Sequence, residues 1–309
     1  MTPPAVIFHF DEVVSERPPA ATSLDQLFLI SPRDGAPSVD WKRKDVTVRP
    51  SKGWRANTTY VVTMLPGMAD LRGNVRTAGA RTLFSTGPTL ASGHVSGKAW
   101  NWLTGAPASG AYIEAIQLPD SIRYVALADS AGGFRVDYLP AGQFLVRAVL
   151  DENRNRGIDP RESWDSATVS LSDSVTLALF AIARDSAAPV MTSVSADDSV
   201  TLRLTFATPL DQLSLPSPAE ISVQATDSSR IPVTSVAVPP PDTTAGAAAS
   251  PRAPPPRIII VRLASPLRPG AEYRVAISRV TGLSKKSALA VRTFRMPEVK
   301  SPPPSPAIK

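Results

Sequence analysis

The sequence contains no cysteine, so disulfides and thiolate metal sites are excluded, and cysteine pairing gives no clue to compartment. Histidine is nearly absent as well. Only His9 and His94 occur, too few and too far apart to supply zinc chemistry or His-based acid–base catalysis. The longest apolar run, "VTLALFAIA" at 175–183, falls far short of the ~20 residues that span a bilayer. The opening "MTPPAVIFHF" lacks the charged start, apolar stretch and cleavage site of an export signal. Net charge is +6, but Lys and Arg are scattered singly, and without a basic block a nucleic-acid partner is not expected. There is no Gly-rich phosphate loop, no G-x-S-x-G elbow and no H-E-x-x-H. The adjacent acids Asp11/Glu12 and Asp197/Asp198 sit at strand ends, where turn acceptors are commoner than an acid–base pair facing one cleft. No catalytic residue is assigned, and the protein is read as not an enzyme.

What is present is punctuation. Thirty-two prolines and seventeen glycines in 309 residues, with period-2 rather than helical patterning between them, predict an all-β chain of short strands and turns. One architecture occurs twice. "AVIFHFDEVV" (5–14) alternates Val6, Phe8 and Phe10 against Ile7 and His9, and "VTLRLTFATPL" (200–210) repeats the pattern. "WRANTTYVVTM" (54–64) corresponds to "LRPGAEYRVAI" (267–277), with inward faces Tyr60, Val62, Met64 and Tyr273, Val275, Ile277. "RTLFSTGP" (81–88) then matches "VRTFRMP" (291–297). The interval from Phe10 to Tyr60 is 50 residues and that from Phe206 to Tyr273 is 67. The excess is close to the length of the Pro/Ala-rich stretch 239–256, read as a disordered insertion.

These copies resemble the bacterial Ig-like domains of surface-layer-type proteins. The first copy carries the resemblance through Phe8, Phe10, Asp11, Glu12 and Val13, then Asn57, Thr58, Thr59, Tyr60 and Val62, then Asp70, Gly73, Asn74, Phe84 and Thr86. The second copy lacks the Asn-Thr and Gly-Asn pairs. Such domains are β-sandwiches. Copy two has an opening segment, "APVMTSVSADDS" (188–199), for which copy one has no equivalent before Val6. The reading therefore expects the first strand of copy one, and any export signal, to lie upstream of this chain.

Between the copies, Gly97, Thr104, Gly105, Pro107, Gly110, Asp129, Gly132, Phe134, Leu139, Gly142 and Phe144 resemble the pattern of the carboxypeptidase regulatory-like, transthyretin-like β-sandwich, a non-catalytic linking module. The implied order is three tandem sandwiches: an Ig-like domain at 1–90, a carboxypeptidase regulatory-like domain at 91–183 and an Ig-like domain at 184–297. A Pro-rich tail at 298–309 reads as an extended spacer, or as a ligand for a Pro-reading domain. The resemblances imply a monomeric structural or adhesive protein at the cell surface or in the periplasm, with envelope proteins or polysaccharide as partners. A carbohydrate-binding array is the alternative.

Two features are candidate sites. "DENRNRGIDPRE" (151–162) sets Asp151, Asn153, Asn155, Asp159 and Glu162 at positions 1, 3, 5, 9 and 12 of a calcium-type oxygen-ligand loop. It is similar to the calcium loops in B-type repeats of bacterial adhesins, which implies weak calcium binding. Against that stand Arg156 where the turn glycine belongs, and Arg154 and Arg161 beside it. The competing reading is a polar turn bonded to its own backbone. Trp100 and Trp102 lie two apart, hence on one strand face. They are read either as an exposed platform for a sugar or partner, or as packing against a neighbouring loop or domain.

Overall fold

The computed structural model describes residues 5–183, 187–240 and 250–298. It is all-β and divides into two compact units, 1–183 and 184–309.

The first unit opens with β1 (Val6–His9), β2 (Phe28–Ser31), β3 (Ser38–Lys42), β4 (Asp45–Arg49), β5 (Thr59–Met64) and β6 (Ala80–Ser85). They form two antiparallel sheets in the orders β1-β4-β3 and β2-β5-β6. The alternation read from sequence sets their inner faces: Val46 and Val48 from one sheet close on Phe28, Ile30, Tyr60, Val62 and Met64 from the other. Trp54 meets Tyr60 and Phe84 edge-on, with centroids 4.8 and 4.9 Å away, and the Tyr60 hydroxyl accepts the Arg55 N–H at 2.8 Å.

Next come β7 (Gly93–Asn101), β8 (Tyr112–Leu118), β9 (Ile122–Leu127), β10 (Gly133–Leu139), β11 (Gly142–Val149), β12 (Ser163–Leu171) and β13 (Ser174–Ala183), in the order β10-β7-β13-β12-β11-β8-β9. β12 and β13 pair only at Ser163↔Ala183 and Trp164↔Ile182. The ribbon folds over at that corner into two layers around a second core, where Val95, Phe134 and Leu179 face Ile113, Phe144 and Val146. The first and last strands, β7 and β13, run parallel from His94↔Ser174 to Asn101↔Ala181. Gly97 permits that approach, since a Cβ there would stand 1.9 Å from the Leu177 carbonyl oxygen. Turns close the strands with side-chain acceptors: Asp129 Oδ1 takes the N–H groups of Ala131 and Gly133, and Gly132 supplies the positive φ of +74°.

The second unit contains β14 (Met191–Asp198), β15 (Thr201–Phe206), β16 (Ile221–Ala225), β17 (Arg230–Ile231), β18 (Val233–Ala237), β19 (Ile258–Leu263), β20 (Glu272–Thr281) and β21 (Ser287–Arg295). Its sheets run β14-β15-β19-β18 and β17-β16-β20-β21. Removal of β14 and β17 leaves the strand order of the first copy. The equivalence extends to side chains: the Tyr273 hydroxyl accepts the Arg268 N–H at 2.8 Å, and Tyr273 stacks on Phe294 at 5.8 Å as Tyr60 does on Phe84 at 5.7 Å.

The insertion read at 239–256 needs correction at its far end. Pro255 and Pro256 are buried, and the Pro256 carbonyl accepts the Leu210 N–H at 2.7 Å, so these two prolines belong to the sandwich. Residues 241–249, and the tail from 299 onward, lie outside the described residues. Deleting 241–249 is expected to shift melting of the second unit by no more than a few degrees, because closure entropy changes by only about 0.6 kcal/mol per doubling of loop length. Deleting 239–256 also removes the buried prolines and should cost visibly more in a calorimetric scan. Equal losses for the two deletions would show that the buried prolines contribute nothing.

Candidate functional site

The 151–162 loop joins β11 to β12, and the Leu150 N–H bonded to the Ser163 carbonyl closes the hairpin beneath it. Phe144, Val146 and Ala148 anchor β11 in the core, which places Asp151 just past the apolar layer. The five candidate ligands are drawn together by hydrogen bonds of the loop itself. Asp151 accepts the N–H groups of Asn155 at 3.1 Å and Arg156 at 2.7 Å. Asp159 Oδ2 meets the side-chain amides of both Asn153 and Asn155. Glu162, 5% exposed, bridges the two ends by accepting the N–H groups of Glu152 and Asp159. Among the described residues, no three His, Asp or Glu side chains form a group that holds a metal.

Arg156 has a different task from the one its position implied. It adopts the left-handed conformation expected of the turn glycine, φ +57°, and Arg154 does the same at +59°. Its side chain leaves the loop: Nη1 donates to the Phe28 carbonyl at 2.7 Å and Nη2 to the Gln26 carbonyl at 2.5 Å. The expectation that Arg154 and Arg156 stand as opposing charges among the ligands is corrected accordingly, since Arg154 also reaches out, to the Ala20 carbonyl at 3.0 Å. Burial pushes the Arg156 guanidinium below its ordinary pKa, with Tyr112 and Asp25 pulling the other way. An arginine stays cationic through such a shift.

Of the two carbonyls it takes, that of Phe28 lies on a strand edge and that of Gln26 in the single turn of 3-10 helix, Leu24–Leu27, that leads into β2. Leu27 bonds to Leu65, so by antiparallel alternation the Phe28 backbone faces away from β5, toward the open side of β2. The guanidinium stands there in place of a neighbouring strand. Further along, β9 completes the seal: the Arg33 N–H donates to the Arg123 carbonyl at 2.6 Å, and the Val125 N–H donates to Ser31 Oγ at 3.0 Å. Arg33 Nη1 donates to the Tyr112 hydroxyl at 3.1 Å and to the Arg156 carbonyl at 2.5 Å. Leu29, Tyr112 and Val125 form a small buried cluster of their own, backed by Leu127. The arrangement can join two sandwiches edge to edge and hold them there.

Sequence reasoning missed this junction, although a signal existed. In "YIEAIQ" (112–117), Ile113 and Ala115 fill the core, so Tyr112, Glu114 and Ile116 point outward, yet all three are buried. A buried outward face needs a cover. Burial raises the Tyr112 pKa from 10.0 to about 12, and that of Tyr124 to about 12. A phenol with its folded pKa raised contributes stability that is complete below pH 10 and lost as pH climbs through the folded value. Unfolding of residues 5–183 should therefore become easier between pH 10 and about 12, with two phenols ionising only on unfolding. Absorbance titration of native and denatured protein checks this. If the Tyr112 and Tyr124 phenols, identified by their loss in Tyr→Phe variants, titrate near 10 in the native state, the expectation is refuted.

The aromatic platform is corrected as well. Trp100 is 5% exposed, bridged to Pro107 and covered by the Lys98 ammonium 4.3 Å above its ring. Trp102 lies beyond the end of β7, is part-buried, and donates its backbone N–H to Ala181. The pair therefore presents no shared exposed face, and packing against a neighbouring loop describes Trp100.

Residues 3–86 match the family model described as bacterial Ig-like domain. No curated protein matches the chain. Among solved structures, the N-terminal part of the bacterial S-layer protein SbsC is 22% identical over 36% of this chain and 24% of that one, with a TM-score of 0.28. This chain thus spans about a quarter of that fragment. A carbohydrate-binding protein of Bacteroides uniformis, so described provisionally, is 13% identical over 67% of this chain and all of its own, with a TM-score of 0.22. A similarly described adhesin of Bacteroides ovatus is 8% identical over 69% and 90%, with a TM-score of 0.21. These likenesses concern the fold alone. No helix among the described residues is long and apolar enough to cross a membrane.

Proposed function

We propose that this protein is a non-catalytic spacer or adhesive element of the bacterial cell envelope, at the cell surface or in the periplasm. In this reading a carboxypeptidase regulatory-like sandwich is placed between two Ig-like ones. The observation that carries it is the sealed junction at β2. The first sandwich matches a bacterial Ig-like family, and its sheet edge is closed by β9 and by the Arg156 guanidinium rather than left to swing on a linker. Two sandwiches locked in this way hold a fixed span and present surfaces, which suits a spacer. The partner is placed among envelope proteins or polysaccharides. Fractionation of the native cells tests the reading: recovery with the envelope and sensitivity to added protease support it, and a protein found only in the cytoplasm overturns it.

The proposal includes weak calcium binding by the 151–162 loop. Asp151, Asn153, Asn155, Asp159 and Glu162 are oxygen-bearing side chains on one loop, and metal binding would require the two amides, which now turn their N–H groups to Asp159, to present their oxygens instead. Calcium would supply charge neutralisation and stiffen the loop. The expected dissociation constant is ~10⁻⁴–10⁻³ M, so millimolar calcium should add only about 1.4 kcal/mol at ten times that constant. Titration calorimetry with calcium, and melting in calcium against chelator, checks this. An unchanged melt of the first unit and no heat of binding would leave the loop as a hydrogen-bonded turn. Arg156→Gly, which resemblance alone favours as a tightening change, also removes the pin to β2 and is expected to loosen the junction whatever it does to calcium.

A further inference from the structure

The first and middle sandwiches meet edge to edge at β2 and β9, but their facing surfaces do not close completely on one another. A cleft of about 220 Å³ lies beside the seam, between the outer face of β2-β5-β6 and the strands β9 and β10. Its lining is of two kinds. Leu29, Val61 and Val125, 5, 7 and 4% exposed, form an apolar floor that Leu127 extends. The charged lining is Arg81 of β6 with Arg135 and Asp137 of β10.

One carboxylate here serves two guanidiniums. Arg135 Nε donates to Asp137 Oδ1 at 2.5 Å, while Arg81 reaches Oδ2 at 3.2 Å from Nη2 and 3.3 Å from Nη1. Among the described residues no acceptor takes the Nη groups of Arg135. The lining therefore carries one unmatched positive charge and free fork donors, the chemistry that recognises a carboxylate. Both arginines are about half exposed, so a ligand can reach them. The backbone keeps the group together. Phe134, Val136 and Leu139 all lie in the core, although strict alternation after Val136 would turn Leu139 outward. A register shift between Asp137 and Leu139 resolves the conflict: Tyr138 takes the extra place at φ +62°, and the Arg81 guanidinium lies 5.5 Å over its ring. A left-handed residue other than glycine is unfavourable in a strand, and bulges of this kind re-aim side chains beside sites. The repeat fold does not require the set. On the same face of the second copy, Ser222, Arg274 and Val291 stand where Leu29, Val61 and Arg81 stand in the first.

We propose that this cleft binds a small monocarboxylate with an apolar body. The body lies on Leu29, Val61 and Val125, and the carboxylate accepts from the Nη groups of Arg135 beside the charge of Arg81. The volume is below the roughly 300–1,000 Å³ of pockets for drug-sized ligands, which points to a body of a few carbons and not to a sugar chain or a folded partner. Such a ligand touches both sandwiches at once, so its binding stiffens their junction. The site is separate from the 151–162 loop, and the proposal stands whichever compartment the protein occupies.

Hexanoate added to the full-length protein is the probe. Hexanol, with the same body and no charge, and acetate, with the charge and no body, are the controls. The methyl resonances of Leu29, Val61 and Val125 are expected to shift with hexanoate at about millimolar strength, the level that a ligand of so few atoms reaches. Hexanol should bind about tenfold or more weakly, the factor that one charge-assisted contact supplies, and acetate should leave the methyls unmoved. Arg135→Gln should lose about tenfold, and Arg135→Lys less, because lysine keeps the charge without the fork. No methyl shift at ~10 mM hexanoate overturns the proposal. So does equal binding of hexanol, or undiminished binding by Arg135→Gln. An extended apolar peptide amide that shifts the same methyls more strongly than hexanoate also overturns it, since the cleft would then be a groove for a chain and not a carboxylate site.

Discussion

Arg156→Ala is expected to separate the first two sandwiches without unfolding either. The substitution removes two charge-assisted hydrogen bonds and leaves the Phe28 and Gln26 carbonyls without their partner at the junction. At about 1.5–3 kcal/mol for such a bond, and with partial rehydration of the carbonyls, the junction should lose about 2–4 kcal/mol. The remaining ties are the Leu29–Tyr112–Val125 cluster, the Arg33 bonds, the Val125 N–H to Ser31 Oγ, Arg154 to the Ala20 carbonyl and the Arg81–Asp137 pair, and none of them takes over the Phe28 and Gln26 carbonyls. Calorimetry should show one transition of the first unit becoming two, and protease should begin to cut between β6 and β7. Arg156→Gly, which suits the +57° backbone, should behave the same way, since the side chain and not the turn holds the junction. A single unshifted transition in both variants would show that the pin is dispensable.

The second large effect concerns Glu114. Its carboxylate is 3% exposed and is held by Arg147 on β11, with Arg123 on β9 at 3.8 Å. Arg147→Met leaves that carboxylate buried with one distant, half-exposed partner. Breaking such a pair from one side typically costs about 3–5 kcal/mol, and partial access at Arg147 places this case near the lower end, about 3 kcal/mol. Glu114→Leu combined with Arg147→Met removes the charge as well as its partner, and should recover most of the loss. Denaturant unfolding of the single and double variants closes the cycle. If the double variant is as unstable as Arg147→Met alone, the packing of the arginine stem, and not the charge, carries the effect.

The strands were legible because their burial follows period 2: Val6, Phe8 and Phe10, then Tyr60, Val62 and Met64, line inner faces as the alternation requires. The repeat was legible because Tyr60 stands 24 residues before Phe84 and Tyr273 stands 21 before Phe294, and the structure gives both tyrosines the same hydroxyl bond to a backbone N–H five residues upstream. The junction was not legible, because edge-to-edge joining depends on which backbone groups remain unpaired after the sheets form, and composition does not record that. Arg156 shows the limit most clearly. By position it looks like a damaged metal loop, and only the carbonyls of Gln26 and Phe28, some 130 residues away, show what the side chain does. Trp100 misled for a similar reason. Alternation placed it opposite Ala99, but the return of the chain through Pro107 buries both faces of β7 at that point.

The parallel pairing of β7 with β13 has a mechanical consequence. The chain enters the middle sandwich at the start of β7 and leaves it at the end of β13, and these strands lie side by side in the same direction over the whole register from His94↔Ser174 to Asn101↔Ala181. Tension between the two ends of this sandwich therefore slides one strand lengthwise past the other. Every bond of the ladder is loaded at once, whereas an antiparallel terminal pair would open like a zipper, one bond at a time. The middle sandwich thereby gains resistance to stretching along its own chain direction. The Gly97 contact with Leu177, which lets the two strands come so close, sits in the middle of that sheared ladder.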